Sequence, residues 1–159
     1  MNQKKLSKWL KGMIIGIAIC GTFIFGVVLP YIGRDVAAEA PEFAGCFWPW
    51  MIFLWVTAVP CYLVRVLGWE IASESGRDCS FTKKNAEFLK YIMILTIADT
   101  GLFFVVNIIY LFLNMNHPSV VIASLFICFA GVCIALVAGT LSHLVQKAAI
   151  MREENESFI

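Results

Sequence analysis

Four long apolar stretches constrain the fold of this chain more than any other feature. They cover residues 12–32, 47–69, 91–113 and 119–145. Each reaches the roughly 20 residues that an α-helix needs to cross a hydrocarbon core of about 30 Å. Because 60% of the 159 residues are hydrophobic and only 14% are charged, the chain lacks the polar surface of a water-soluble domain. We therefore predict an all-α membrane protein with a single four-span domain over residues 1–159, folded as a four-helix transmembrane bundle.

The distribution of basic residues predicts the orientation of the four spans. Lysine and arginine concentrate in the cytoplasmic segments of membrane proteins. Of the 12 basic residues, 11 precede the first span, lie at or between the inner ends of the second and third, or follow the fourth, and only Arg34 falls on the opposite side. Both termini should therefore be cytoplasmic, with residues 147–159 as a cytoplasmic tail.

Helix signals predict where individual helices begin, bend and end. Thr82 is the expected N-cap of the third helix, so this helix should begin well before the membrane. Leu144 and Met151 continue an apolar stripe at helical spacing, so the fourth helix should also extend into the cytoplasm. The short turn between these two helices makes them antiparallel neighbours. Pro30 should end the first helix, and Pro60 should kink the second.

Small residues indicate where the helices pack. Helices in a bilayer associate where glycine, alanine, serine or threonine lets two backbones approach closely. The fourth helix carries Gly131, Ala135 and Gly139 at four-residue spacing, and the first carries Gly12 and Gly16. These two faces are expected contact seams, either within one chain or between copies in a homo-oligomer.

Polar side chains inside the predicted spans are candidate functional residues: Asp99, Arg65, His143 and Asn107. An unpaired charge in hydrocarbon is costly, so Asp99 should be protonated or face a basic group. One interpretation is a clamp of Asp99 with Arg65 and Thr96 that fixes the register of the helices. A second is a protonation switch at Asp99 or His143 that moves the protruding helices. A third is a neutral Asp99 that donates to a carbonyl group. Asn107 shares nearly the same helical face, in the outer half of the span.

The protruding ends of the third and fourth helices carry opposite charges. The basic residues and the acidic residues are Lys83, Lys84, Lys90, Glu153, Glu154 and Glu156. An intrachain network of ion pairs or simple solvation is one interpretation, and a docking surface for a soluble partner is the other. Basic residues near the inner leaflet also attract anionic lipid without a protein partner.

Catalytic and metal-binding patterns are lacking in the sequence. We find no activated nucleophile, phosphate-binding loop or paired carboxylates, and no spacing of cysteine or histidine that is typical of a metal site. We therefore expect a protein that is not an enzyme, has no cofactor and binds no metal. We also expect no direct binding to nucleic acid.

Three short segments of the sequence resemble those of a known family. With "GRDCSFTKKNA", "LSHLVQKAA" and "REEN" in this order, the chain resembles the bacterial membrane family called domain of unknown function 2975, which includes YoaS-like proteins. The resemblance implies a multi-pass protein of the bacterial plasma membrane. Genes of this family commonly lie beside a gene for a small helix-turn-helix regulator of the Xre/Cro type. The resemblance therefore implies such a regulator as the cytoplasmic partner.

Three functions follow from these observations. The first is a membrane protein that sequesters or modulates the cytoplasmic regulator. The second is a small transporter, channel or immunity-type protein in which the intramembrane polar residues line a path. The third is an accessory subunit of a larger membrane complex.

Overall fold

Seven helical segments make up the part of the chain that the computed structural model describes, residues 3–76 and 81–157. They are α1 (Gln3–Phe23), a π-helical turn (Ile24–Val28), α2 (Leu29–Glu39), a 3-10 segment (Pro41–Cys46), α3 (Phe47–Ser75), α4 (Lys83–Phe112) and α5 (Pro118–Ser157). These residues contain no strand. With α1, the π-helical turn and α2 counted as one helix, four helices are long and apolar enough to cross a membrane. The all-α, four-span architecture is confirmed, and the orientation of the termini stays a prediction.

Pro30 does not end the first helix, contrary to the prediction. Proline lacks an N–H and crowds the preceding turn, so it usually interrupts a helix. Here the π-helical turn Ile24–Val28 lies directly before it and is closed by a hydrogen bond from the N–H of Leu29 to the carbonyl of Ile24. In this π-helical pattern the N–H of residue 30 would donate to the carbonyl of Phe25, but proline has no N–H, so this carbonyl lacks its backbone donor. The indole Nε1 of Trp55 on α3 donates to this oxygen at 3.4 Å, so the wider turn carries the proline within the helix.

The predicted extension of the two last helices is confirmed. Thr82 caps α4, because its side-chain oxygen accepts a hydrogen bond from the backbone N–H of Asn85 at 3.2 Å. The helix begins at Lys83, eight residues before the predicted boundary at Tyr91. At the other end of the hairpin, α5 continues past the fourth apolar stretch to Ser157. Both helices therefore reach beyond their apolar segments at the same end.

A tight turn joins α4 to α5. Asn114 adopts φ 55°, the left-handed conformation in which asparagine follows glycine in frequency. The N–H of Met115 donates to the carbonyl of Tyr110 at 2.8 Å, and the N–H of Asn114 donates to that of Leu111 at 3.1 Å. These bonds satisfy the last carbonyls of α4 and reverse the chain within a few residues. The two helices are therefore antiparallel neighbours, as predicted.

The spans lie side by side in chain order. The first span packs on α3, α3 packs on α4, and α4 packs on α5. Among the described residues, no close backbone approach joins the first span to α4 or α5. The four helices are thus an open row and not a closed ring. As a result, α3 separates the first span from α4, and the free face of α5 presents apolar side chains such as Phe126 and Phe129 to the lipid.

The seam between α4 and α5 is made of small residues. Gly131 lies against Thr100, and Ala135 is only 2% exposed. The hydroxyl of Ser142 donates to the backbone carbonyl of Ala86 at 2.6 Å. The complete set on α5 repeats in steps of three, four and seven residues: Ser124, Gly131, Ala135, Ala138, Ser142 and Ala149. This spacing keeps one face of the helix against its neighbour, as in a left-handed helix pair.

The other three predicted packing residues, Gly139, Gly12 and Gly16, do not lie at the centre of a helix contact. Gly139 borders the seam, where an added Cβ would meet the thioether of Met93. Residues spaced four apart lie about 40° apart around the axis of an α-helix. Two such steps from Gly131 therefore place Gly139 away from the centre of the seam. At Gly12 and Gly16 an added Cβ would meet no atom of the described residues within 4 Å. A close seam at these two glycines within the chain is therefore wrong. The first span instead contacts α3 at Gly21, against which the guanidinium of Arg65 packs.

Candidate functional site

The clamp of Asp99 with Arg65 is not formed. Asp99 faces α3, where the thiol of Cys61 donates to its Oδ2 at 3.9 Å. Its Oδ1 is buried and has no hydrogen-bond partner in the described residues. Among these residues no ion pair joins Asp99 to Arg65. The hydroxyl of Thr96, the third expected member, donates to the carbonyl of Ile92 in its own helix at 2.8 Å.

Arg65 points toward the first span. Its guanidinium lies 4.6 Å from the centre of the Tyr62 ring, a cation–π distance, and packs against the backbone at Gly21. It lines an apolar cleft of about 490 Å³ between α1 and α3. The Nη1 atom is buried without a hydrogen-bond partner among the described residues. The clamp fails because α3 lies between the first span and α4, so an arginine directed to one neighbour does not reach a carboxylate on the other.

His143 does not join Asp99 either. Its side chain is exposed on α5 and borders a groove between α4 and α5. Asp99 lies on the face of α4 that is directed to α3. The two groups therefore lie on different faces, and a protonation switch at either Asp99 or His143 stays a prediction.

Asn107 is the centre of a buried polar cluster at the turn between α4 and α5. It is 1% exposed, and its Oδ1 accepts hydrogen bonds from Ser124 Oγ at 2.7 Å and Asn116 Nδ2 at 3.2 Å. Its Nδ2 donates to the carbonyl of Phe103 at 2.8 Å. Both Asn116 and Ser124 are buried. The cluster fixes the register of α4, α5 and their turn, because a polar group without partners in this apolar surrounding is costly.

An aromatic layer covers the same end of the molecule. Trp50 packs edge to face with Tyr110 at 5.0 Å between ring centres, and Phe53 stacks on Phe103 at 5.5 Å. The indole of Trp50 donates to the carbonyl of Met115 at 3.1 Å, so α3 holds the turn that follows α4. This end of the row is therefore rigidly tied, which is consistent with a structural role for Asn107.

The charged residues at the opposite end pair within the chain. Lys83 Nζ lies 2.6 Å from a carboxylate oxygen of Glu153, and Lys84 Nζ lies 3.0 Å from one of Glu74. These pairs link α4 to α5 and α4 to α3. Lys90 and Glu154 are exposed on α4 and α5, while the side chain of Glu156 lies outside the described residues. Lys83, Lys84 and Glu153 thus have ion-pair partners within the chain, and docking of a soluble partner at this end stays a prediction.

Several residues of these clusters were not predicted. Glu74 was missed because it precedes the loop on another helix, and only the fold brings it to Lys84. The sequence gives only weak indications of Asn116 and Ser124 as cluster members. Asn116 lies in the turn, and Ser124 lies seven residues before Gly131 on the same helical face. Ser7, whose hydroxyl donates to the carbonyl of Ala72 at 2.6 Å, has no distinguishing pattern.

Metal-binding clusters are not found in the described part of the chain. Residues 3–76 and 81–157 contain no group of three or more histidine, cysteine or carboxylate side chains with a suitable arrangement. The polar groups of the site can hold helices in register and carry charge, but they do not form a recognisable arrangement of nucleophile and base.

Comparison with known proteins agrees with this architecture. A model of the family described as "Protein of unknown function (DUF2975)" matches residues 31–159, which include α3, α4 and α5 in full. The chain belongs to this family. The DUF2975 chain is also 26% identical over 147 residues to "Uncharacterized membrane protein YoaS" of Bacillus subtilis (strain 168), covering 91% of this chain and 90% of that protein. No solved structure matches the chain. It is thus a multi-pass membrane protein of an uncharacterised family.

Proposed function

We propose that this DUF2975 protein is a non-enzymatic membrane regulator that docks a small cytoplasmic transcription factor of the Xre/Cro helix-turn-helix type. The docking surface is the protruding end of the helix pair, residues 83–90 of α4 and 147–155 of α5, here called the charged platform. The observation that carries the proposal is that this platform is an ordered pair of helices beyond the apolar spans. A flexible tail would lose conformational entropy on binding, whereas a preformed surface does not.

The charged platform is held together by contacts of three kinds. Ala149 is 3% exposed in the seam between α4 and α5, the Ser142 hydroxyl binds the α4 backbone, and the Lys83–Glu153 ion pair closes the end. From Lys147 to Ser157, α5 extends for about 16 Å at 1.5 Å per residue. This length is sufficient to present several helical turns to a protein on the same side of the membrane.

The exposed side of the platform has the composition of a protein interface. Ile150 is 41% exposed and Met151 is 55% exposed, and the charged residues Arg152, Glu153 and Glu154 follow directly in the sequence. Apolar side chains at the centre and charged side chains at the rim are typical of such surfaces. The family resemblance supports the class of partner through the neighbouring regulator gene, and sequestration of that regulator away from DNA is the proposed consequence.

Co-purification tests the docking. The full chain is purified from membranes in mild detergent together with a co-expressed Xre/Cro-type regulator from the same organism. We expect recovery of the regulator with the wild-type protein and its loss on deletion of residues 147–159. The double substitution Ile150→Ser with Met151→Ser should lower recovery several-fold, while Val36→Ser, an exposed apolar residue at the opposite end, should not. Equal recovery with all variants would refute docking at this surface.

Charge reversal separates a structural role from a direct one. Because Lys83 pairs with Glu153, a single reversal disturbs the platform itself, whereas Lys83→Glu combined with Glu153→Lys preserves the pair. If these charges only hold the helices together, the double variant should recover the regulator as the wild type does. Recovery of membrane proteins alone, without a soluble partner, would favour an accessory subunit instead.

The second candidate is a transporter or channel. The observation that favours it is that two ionisable side chains, Arg65 and Asp99, each have a buried polar atom without a hydrogen-bond partner in the described residues. Ionisable groups inside a membrane often mark a path for ions or substrates. Reconstitution into liposomes tests this function. Flux that disappears with Asp99→Asn supports transport, and the absence of flux under every imposed gradient contradicts it.

A further inference from the structure

An open apolar groove runs between α4 and α5. It has a volume of about 820 Å³, and the residues that line it include Met93, Ile97, Gly101, Phe104, Leu136 and His143. None of the functions proposed above uses this groove. Its walls are apolar along almost their whole length, and His143 lies at one end.

The length of the groove matches one leaflet of a bilayer. From Met93 to Phe104 the α4 wall covers 12 residues, and its first and last Cα atoms lie about 16 Å apart along the helix axis at 1.5 Å per residue. Half of a hydrocarbon core is about 15 Å thick. The groove occupies the half of the span that ends in the lysine-rich connection, so an acyl chain of that leaflet fits along it.

Two lysines flank the mouth of the groove. Lys90 lies one helical turn before Met93 on α4, and Lys147 lies one turn after His143 on α5; both are exposed. Helical side chains lean toward the N-terminus of their own helix. Because α4 and α5 are antiparallel, Lys90 leans out of the membrane and Lys147 leans toward it. The hydrogen bond between Ser142 and Ala86 sets the alignment of α5 against α4. In this alignment Lys90 starts deeper in the membrane than His143 and Lys147 starts farther out. Their opposite inclinations therefore bring both ammonium groups toward the level of the His143 ring.

The charges at this mouth are not compensated. Lys83 and Lys84 have carboxylate partners, but within residues 3–76 and 81–157 neither Lys90 nor Lys147 forms an ion pair. An apolar slot one leaflet long with two unpaired lysines at its mouth is complementary to a lipid that has a negatively charged headgroup. Basic sites between membrane helices bind such headgroups through charge-assisted hydrogen bonds.

We propose that the groove between α4 and α5 binds one anionic phospholipid. An acyl chain lies between Met93 and Phe104, and Lys90, Lys147 and the His143 ring hold the phosphate. The site contacts the seam that carries the charged platform, so the bound lipid links membrane composition to the position of the two helices. This binding does not require the docking of a transcription factor and is testable without it.

Native mass spectrometry of the full chain in detergent measures this binding. The probes are phosphatidylglycerol and phosphatidylcholine with identical acyl chains. We expect the wild type to retain phosphatidylglycerol preferentially. Lys90→Gln combined with Lys147→Gln should weaken its binding roughly 25-fold, since each lysine near an anionic surface contributes about fivefold. Lys5→Gln combined with Lys8→Gln changes the net charge equally, at exposed positions on α1, and should leave the preference intact.

A second variant tests the groove independently of charge. Gly101 lines the groove, and an added Cβ there meets no atom of the described residues within 4 Å, so we expect Gly101→Leu to fold and to occupy part of the groove. We expect this variant to lose both lipids, while Gly12→Leu, an equally open position on α1, retains them. Equal retention of both lipids by the wild type would overturn the proposal. So would undiminished binding of phosphatidylglycerol by both the double lysine variant and Gly101→Leu, with unfolding temperatures like that of the wild type.

Discussion

Substitution of Gly131 by alanine should destabilise the contact between α4 and α5. An added Cβ would overlap Oγ1 of Thr100 and would lie 3.2 Å from its Cγ2 and 3.3 Å from its Cβ. A residue branched at Cβ has few χ1 rotamers in a helix, and rotation about χ1 of Thr100 leaves the close approach of the two Cβ atoms unchanged. The added methyl group is therefore accommodated in part by a shift of the two helices. We expect a loss of about 1–3 kcal/mol in the free energy of unfolding, the range for overpacking of a close contact.

Two other glycines provide matched controls for this change. At Gly139 an added Cβ would meet Sδ of Met93 at 2.6 Å, but an unbranched thioether moves easily, so Gly139→Ala should cost less than about 1 kcal/mol. At Gly101 the space is open, and alanine loses less backbone entropy than glycine, so Gly101→Ala should stabilise by about 0.5–1 kcal/mol. The three substitutions are therefore expected to change the free energy of unfolding by different amounts, and Gly101→Ala should change it in the opposite direction from the other two.

Equilibrium unfolding by sodium dodecyl sulfate in mixed micelles measures the three free energies on the purified chain. The combination of Gly131→Ala with Thr100→Ala is the decisive variant. It removes Oγ1 and Cγ2 and leaves only the 3.3 Å approach between Cβ atoms, so it should recover most of the lost stability. If Gly131→Ala is as stable as Gly101→Ala, or if the second substitution restores nothing, the close contact between Gly131 and Thr100 is refuted.

Further substitutions test the two ends of the helix pair in the same assay. Asn107→Leu removes the acceptor of the bonds from Asn116 and Ser124 and should cost about 1–3 kcal/mol, since hydrogen bonds within membranes contribute about 0.6–1.7 kcal/mol each. Thr140→Ala, whose hydroxyl bonds only its own helix, should cost little; equal stability of the two variants would argue against the cluster. At the other end, Lys83→Glu or Glu153→Lys should each cost less than about 1 kcal/mol because the pair is exposed. The double reversal should restore stability, and the coupling should weaken with salt; additive losses at low salt would contradict the ion pair.

Local signals predicted the helices well. Twenty-residue apolar stretches identify spans because a bilayer requires a fixed length of hydrocarbon. Thr82 identified the start of α4, since a capping hydroxyl satisfies the backbone donors of the first turn. The prediction for Pro30 was wrong because a π-helical turn precedes the proline and keeps it within the helix, and Trp55 on another helix donates a hydrogen bond to that turn.

The pairing of side chains between helices was predicted poorly. Asp99 and Arg65 have opposite charges and nearby depths, which favoured a clamp. Depth alone does not tell which neighbour a side chain faces, and in an open row α3 keeps these groups on different sides. The cluster around Asn107 and the ion pair of Lys84 with Glu74 also join residues from separate parts of the chain, whose proximity depends on helix order and rotation.

The sequence by itself determined that this chain is a four-span helical membrane protein with its last two helices extended and antiparallel, because hydrophobic length, capping and a short turn act locally. The tertiary structure decided which faces meet. It placed Gly131 against Thr100, left Gly12 and Gly16 without close neighbours, separated Arg65 from Asp99, and formed the groove that ends at Lys90 and Lys147. These features depend on the rotation of each helix about its axis, which lipid-facing sequences leave nearly free, because lipid and protein are equally apolar and only close packing and a few hydrogen bonds distinguish one rotation from another.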